Sequence, residues 1–179
     1  LCKNLGTLSA LAHINLDVSP GEVVGLAGRS GSGKSVLIDL LAGLYGPSSG
    51  DVYFNGQRVS VFSPHVMRAL GIEVIHQKAD LAENLDIASN IFLGRELGRA
   101  LGIPSLRHPD QKRMEREAGR ILDRLGVRFG SLRDKARNLS GEQRQIIAIA
   151  RAMACPARLI VVDEPLVTLN FVVNKTLLG

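Results

Sequence analysis

The stretch "EVVGLAGRSGSGKSVLIDLLAGL", residues 22–44, decides the fold of this chain. Residues 22–27 are apolar and rich in β-branched side chains, which predicts a buried strand, and residues 36–44 have the length and leucine content of a helix. Between them, residues 28–35 match the pattern G-x-x-x-x-G-K-[ST]. A strand, a glycine-rich turn and a helix in this order predict an α/β fold built around a phosphate-binding loop.

The residue types in this loop suit phosphate binding. Glycines let backbone N–H groups turn toward phosphate oxygens, Lys34 reaches the β- and γ-phosphates, and the Ser35 hydroxyl binds Mg²⁺. A flexible glycine turn is the alternative, but the flanking strand and helix favour the phosphate loop. The predicted nucleotide-binding residues follow one another along the loop into the helix: Gly28, Arg29, Ser30, Gly31, Ser32, Gly33, Lys34, Ser35 and Val36.

A pair of carboxylates follows a second apolar segment, "LIVVDEP", residues 159–165. Residues 158–162 predict a strand, and Asp163 at its end would hold Mg²⁺ through water beside Ser35. Glu164 would then point at the γ-phosphate and orient or deprotonate the attacking water. An ordinary polar loop after a strand is the alternative, which the presence of a phosphate loop disfavours.

Gln77 is a further candidate because it directly follows "IEVIH", residues 72–76, which predicts another buried strand. Its amide would reach the metal ion or the attacking water. A surface glutamine is an equally good interpretation of this residue when it is taken alone.

The segment "NLSGEQRQIIAIARAM", residues 138–153, predicts a helix with a distinctive start. Ser140 and Gln143 have the spacing of a capping box, in which each side chain bonds a free backbone N–H group. The apolar residues that follow recur at helical intervals: Ile146, Ile147, Ile149, Ala150 and Met153. A helix N-terminus favours anions, and the small Ser140-Gly141 pair leaves room for one to bind there.

The remaining sequence completes an α/β fold with a mostly parallel sheet, an antiparallel β portion near the N-terminus and an inserted α-helical subdomain. Residues 47–61 predict a turn and a short hairpin, with Asn55-Gly56 as the tight turn. The predicted division places the core, C-terminally incomplete, in residues 1–77 and 139–179, and the helical subdomain in residues 78–138.

Within the helical subdomain, residues 98–109 predict a loop, and Asp110 after Pro109 opens the clearest helix. Gly126 lies where that helix is expected to end. Its apolar side chains form one face: Met114, Ala118, Ile121, Leu122 and Leu125.

Composition narrows the possible partners. The net charge of +5 suits a phosphate ligand, but the basic residues are scattered along the sequence and aromatic residues make up only 4%, so no nucleic-acid partner is expected. Cys2 and Cys155 lack the spacing of metal ligands. No leader is apparent, and no apolar run reaches the roughly 18 residues of a membrane span. Any membrane function therefore requires another chain.

These motifs together resemble the ATP-binding cassette (ABC) family of transport ATPases. "GRSGSGKS" is similar to its Walker A motif, "VIHQ" to its Q-loop, "NLSGEQRQIIAIARA" to its signature motif and "LIVVDEP" to its Walker B motif. The resemblance covers essentially the whole chain. Residues 71–96 resemble, more narrowly, the ATPases of bacterial carbohydrate importers for ribose, galactose or xylose.

The resemblance implies a P-loop NTPase fold and an ATPase that uses ATP and Mg²⁺. Its catalytic residues would be Glu164, Gln77 and Lys34, and its metal-binding residues would be Ser35, Gln77 and Asp163. The signature residues would contact ATP bound by a second cassette in a head-to-tail homodimer or heterodimer: Ser140, Gly141, Glu142 and Gln143.

The same resemblance implies partners and a location. The helical subdomain and the Q-loop would meet a transmembrane permease, which receives solute, expected to be a sugar, from a solute-binding protein. The chain would then be cytoplasmic and peripheral on the inner face of the plasma membrane.

Four departures from the family pattern keep two alternatives open. Glu142 replaces a second glycine, Asn170 an aspartate and Leu5 an adenine-stacking ring, and no histidine follows His108. One alternative is a degenerate or regulatory nucleotide-binding module without turnover. The other is a non-transport ABC ATPase acting on nucleic acid or ribosomes.

Overall fold

The computed structural model describes residues 1–76, 79–100 and 107–163, and the predicted residues Gln77, Glu164 and Asn170 lie outside them. The described residues form two compact units. Unit 1 comprises Leu1–Val74 and Arg158–Asp163, and unit 2 comprises residues 75–157. In chain order the elements are β1 (Lys3–Leu5), β2 (Leu8–Leu11), α1 (Lys34–Leu41), β3 (Tyr53–Phe54), β4 (Gln57–Arg58), α2 (Pro64–Leu70), β5 (Ile72–Ile75), α3 (Ile87–Ile91), β6 (Gly98–Ala100), β7 (Arg107–Pro109), α4 (Gln111–Arg124), α5 (Gly141–Met153) and β8 (Leu159–Val162).

Strands β5 and β8 form a parallel pair. Parallel strands require a long crossover connection, and here the connection contains the helices of unit 2. Ile72 and Ile75 are buried, and the backbone N–H groups of Arg158 and Leu159 bond the carbonyl of Gly71 at 2.8 and 3.2 Å. The strands predicted at 72–76 and 158–162 are therefore confirmed.

A small hydrophobic core lies beside this sheet. Val59, Met67 and Ile72 are its buried members. Five partly buried side chains pack against them: Val52, Phe54, Phe62, Leu70 and Leu159. Helix α2 brings Met67 into the core, and it begins where the Ser63 hydroxyl accepts a hydrogen bond from the Val66 N–H group at 3.2 Å.

The buried strand predicted at 22–27 is wrong. Val23 is 76% exposed and Leu26 49% exposed, and no strand pair within the described residues includes this segment. Apolar composition identifies side chains that favour burial, but a strand also needs a neighbouring backbone to complete its hydrogen bonds. The apolar pattern carries no information about that neighbour.

The antiparallel strand pairs are short. β1 pairs with β2, and β3 pairs with β4 around Asn55 and Gly56, whose φ angles of 49° and 75° are those of the predicted tight turn. The antiparallel portion and its hairpin are therefore confirmed. The loop predicted at 98–109 is wrong at both ends, because β6 pairs with β7 there.

Unit 2 is a helical unit in which α3, α4 and α5 contact one another. Helix α4 starts where the Asp110 carboxylate accepts a hydrogen bond from the Arg113 N–H group at 3.0 Å, and Gly126 follows its end with φ 69°. Its predicted apolar face is buried: Met114, Ala118, Ile121, Leu122 and Leu125. Residues 139–157, predicted with the core, lie in unit 2, and the proposed subdomain boundaries stay a prediction.

The described helices are short. None in residues 1–76, 79–100 or 107–163 combines the length and hydropathy needed to traverse a bilayer.

Gly43 ends helix α1 against α2. A Cβ atom on Gly43 would lie 2.5 Å from the carbonyl of Ser63 and 2.7 Å from Met67 Cγ, and its φ is +80°. Gly126 has φ +69°, but a Cβ atom there would meet only open space. We expect Gly43→Ala to lower the free energy of unfolding by about 3 kcal/mol, because it adds a clash to the backbone strain. We expect about 1 kcal/mol for Gly126→Ala, which adds strain alone. Urea denaturation measures both, and equal losses would show that the Gly43 contact is unimportant.

Candidate phosphate-binding site

The loop of residues 28–35 is closed by its own lysine. Lys34 Nζ donates hydrogen bonds to the carbonyl oxygens of Gly28 at 2.7 Å and Arg29 at 2.9 Å, and makes a long contact of 3.5 Å with Ser32 Oγ. The Ser32 N–H group bonds the Arg29 carbonyl at 3.1 Å. These bonds hold the ammonium group within the loop, where it can donate a hydrogen bond to a bound anion.

Two glycines in the loop adopt conformations that other residues avoid. Gly31 and Gly33 have φ angles of 79° and 91°. A Cβ atom on Gly33 would also lie 2.6 Å from the Ala10 carbonyl oxygen and 2.9 Å from Leu11 Cδ2. Strand β2 therefore supports the loop from behind, a contact that the sequence pattern did not reveal.

The N-terminus of α1 is open to an anion. Gly33 occupies the cap position and provides no side-chain hydrogen bond to the first turn. The first N–H groups of a helix have no partner within the helix, so they can bond an external acceptor. Residues 28–32 and Ser35 are exposed, and a ligand can reach these groups from solvent.

The predicted metal-binding residues are only partly described. Asp163 is half-buried and directly follows β8 in unit 1, the unit that also contains Ser35. Within the described ranges, no three His, Cys, Asp or Glu side chains gather as a metal site. The phosphates of a bound nucleotide can supply oxygen ligands to a metal ion at such a site.

The predicted capping box is present at the start of α5. The Ser140 hydroxyl accepts from the Gln143 N–H group at 3.2 Å, and the Gln143 side chain accepts from the Ser140 N–H group at 3.0 Å. A Cβ atom on Gly141 would meet nothing within 4 Å, and its φ is not positive. The fold of the chain therefore does not require glycine at this exposed position.

Asn90 anchors the segment before α3, and sequence reasoning missed it. Its side chain is fully buried. Its Oδ1 accepts from the Ala82 N–H group at 2.8 Å, and its Nδ2 lies within hydrogen-bond distance of the carbonyls of Ala82, Leu85 and Asp86. An asparagine within the apolar run "IASNIF" was the available signal, since a buried amide in a helix needs partners.

Arginines of α5 connect this helix to α3 and to the segment before it. Arg151 donates to the Asn90 carbonyl at 2.9 Å and to the Asp80 carbonyl at 3.2 Å. Arg144 Nη2 lies 3.3 Å from Glu83 Oε1. Residues 80–90 are therefore bonded to α5, the helix whose N-terminus carries Ser140.

Comparison with known proteins is consistent with this geometry. A family model described as ABC transporter matches residues 11–167. The chain is 39% identical over 176 residues to the xylose/arabinose import ATP-binding protein XylG of Sulfolobus acidocaldarius, covering 98% of this chain and 68% of that protein. It is 41% identical over 168 residues to the ribose import ATP-binding protein RbsA 1 of Streptomyces coelicolor, covering 94% of this chain and 32% of that protein. The chain therefore spans about a third of the length of this ribose import protein.

A solved structure confirms the fold class. A dimeric ATP-binding cassette in a post-hydrolysis state bound to ADP and Pi superposes with a TM-score of 0.78 at 24% identity. The alignment covers 97% of this chain and 77% of that one. The predicted P-loop NTPase fold is therefore correct.

Substitution of Asn90 tests whether its hydrogen bonds stabilise unit 2. Asn90→Ala is expected to lower the free energy of unfolding by about 3 kcal/mol, because it leaves several buried backbone groups without partners. Asn84→Ala, at an exposed position of the same segment, is the matched control and should have little effect. Chemical denaturation compares the two variants, and an equal response would contradict the anchoring role of Asn90.

Proposed function

Because the chain belongs to the ABC transporter family, we propose that it binds Mg-ATP on residues 28–36 and hydrolyses it to drive solute import. The observation that carries this proposal is the Lys34 ammonium group, held by the carbonyls of Gly28 and Arg29 beside an uncapped helix N-terminus. An ammonium group has three donors, and among the described residues the third makes only the long Ser32 contact. A phosphate oxygen can take that donor without breaking the loop.

The residues that we assign to the metal suit magnesium. Mg²⁺ prefers oxygen ligands and retains several waters, using one or two carboxylates together with substrate phosphates. Ser35, Asp163 and Gln77 would hold it, since all three offer oxygen atoms. When bound, the ion neutralises charge on the phosphates.

The catalytic residues act on water and on the γ-phosphate. Glu164 would orient the attacking water and accept its proton, and Gln77 would help to position that water. Lys34 would stabilise negative charge on the β- and γ-phosphate oxygens. Attack in line with the departing ADP then requires only positioning and electrostatic stabilisation from the chain.

The start of α5 would complete the site in a second cassette. Its capping box already satisfies the Ser140 and Gln143 N–H groups, and Gly141 leaves open space beside the helix N-terminus. We propose that the anion bound there is the γ-phosphate of ATP held by the other cassette. ATP would join the two surfaces, and hydrolysis would release them.

The transport role follows from the relatives. Proteins named as xylose/arabinose and ribose import ATP-binding proteins share about 40% of this sequence. We propose sugar uptake through a separate transmembrane permease, supplied by a solute-binding protein, with this chain on the inner face of the plasma membrane. These relatives favour transport over a module without turnover and over action on nucleic acid.

Calorimetric titration with Mg-ATP tests the binding site directly. Wild-type chain should bind saturably, and Lys34→Ala should weaken binding by at least about tenfold, because a charge-assisted contact with phosphate is lost. Lys135→Ala removes the same charge from an exposed position in unit 2 and should bind like wild type. Equal affinity of the wild type and Lys34→Ala would overturn the assignment of the loop.

Turnover tests the role of Glu164. Glu164→Gln should hydrolyse ATP about 100-fold more slowly than wild type, while its Kd for Mg-ATP stays close to that of wild type. Glu117→Gln, a carboxylate on α4 remote in sequence from the loop, is the control. Phosphate release measured at saturating ATP reports the rate, and unchanged turnover in Glu164→Gln would refute its role as the base.

A further inference from the structure

Two charged side chains, Arg29 and Glu142, lie on the two surfaces that the proposed function brings together. Both are exposed, Arg29 in the phosphate loop and Glu142 in the first turn of α5. No ion pair or side-chain hydrogen bond formed within residues 1–76, 79–100 and 107–163 uses either side chain. Their charges are opposite, and neither side chain has an ion-pair partner in the part of the chain that the structure describes.

The backbone of Arg29 is fixed although its side chain is exposed. Its carbonyl oxygen accepts hydrogen bonds from Lys34 Nζ at 2.9 Å and from the Ser32 N–H group at 3.1 Å. The guanidinium group is therefore tethered to the same loop segment that would surround the phosphates. A positive side chain at this point strengthens the binding of any acidic group that approaches the loop from outside.

The Glu142 side chain, unlike the neighbouring Ser140 and Gln143 side chains, does not cap its own helix. The capping box at this turn uses Ser140 and Gln143, so the Glu142 carboxylate has no part in it. The helix dipole favours a carboxylate in the first turn, which explains why the isolated chain tolerates it. If a triphosphate of another cassette approached this turn, however, an uncompensated carboxylate would repel it.

We infer that the Glu142 carboxylate of one copy of this chain forms an ion pair with the Arg29 guanidinium of a second copy when both bind ATP. The inference rests on the proposed function, because it requires the start of α5 to meet the phosphate loop of another cassette. In a two-fold symmetric dimer each copy gives and receives this contact, so the pair occurs twice. The pairing neutralises the carboxylate beside the nucleotide and adds an attractive contact across the interface.

A second copy is the occupant that the charges favour. One chain carries both halves of the complementary pair, each on a segment proposed to contact nucleotide. A two-fold assembly therefore satisfies both side chains without another protein. Electrostatic complementarity of this kind sets register and partner choice in protein interfaces.

Reversal of the two charges tests the inference. The dimerisation Kd of the full chain would be measured by sedimentation velocity with Mg²⁺ and the non-hydrolysable analogue adenylyl imidodiphosphate. Arg29→Glu and Glu142→Arg should each weaken the dimer at least about tenfold, because each places like charges together twice. The double variant should return to within about threefold of the wild-type Kd, and its dimer, like that of wild type, should weaken as salt rises.

Two further measurements separate this inference from the proposed function. Arg113→Glu combined with Asp123→Arg exchanges charges at exposed positions of α4 and should leave the dimer unchanged. Calorimetry with Mg-ATP on each variant shows whether nucleotide still binds.

Additive losses of dimer affinity in the double variant would overturn the ion pair, as would a Glu142→Arg dimer that is tighter than the wild-type dimer. A wild-type chain that binds nucleotide and stays monomeric would overturn the second copy as partner, whereas a failure of the Lys34 test would overturn the binding site itself.

Discussion

The hydrogen bonds from the Lys34 ammonium group to the carbonyls of Gly28 and Arg29 are the constraint on which the candidate site depends. They close the loop into a ring around a positive charge at the start of α1. Strand β2 supports the same loop, because Gly33 approaches the Ala10 carbonyl more closely than any side chain would permit. The Lys34 bonds and the Gly33 contact restrain the loop at two points, and electrostatic stabilisation of a phosphate benefits from donors that are held in place beforehand.

Local signals in the sequence predicted local structure well. The capping box at Ser140, the apolar face of α4 and the Asn55-Gly56 turn each depend on a few neighbouring residues, and all three are present. The strand prediction for residues 22–27 failed because strand formation depends on a partner strand that is distant in the sequence. The close approach of Gly33 to β2 was hidden for the same reason, since the motif requires glycine for its turn and says nothing of the strand behind it.

The Asn90 network shows what a motif search leaves out. The segment before α3 has little regular structure of its own, yet the buried amide of Asn90 and the guanidinium group of Arg151 hold it through bonds to backbone carbonyls. Such bonds do not depend on the identity of the residues that supply the carbonyls. The residues of the segment therefore carry no sequence signal of their anchoring, and only the buried asparagine in an apolar run could have indicated it.

Electrostatics explains how Glu142, which departs from the family pattern, can be accommodated in the first turn of α5. Within the chain, Glu142 stabilises the helix start, so selection for folding alone would not remove it. Beside a nucleotide held by another copy it would oppose binding unless a cation accompanied it. Arg29 can supply that cation because it belongs to the loop that holds the nucleotide. A carboxylate that is unfavourable beside the nucleotide on its own can therefore favour assembly of two chains, and only when nucleotide has brought the surfaces together.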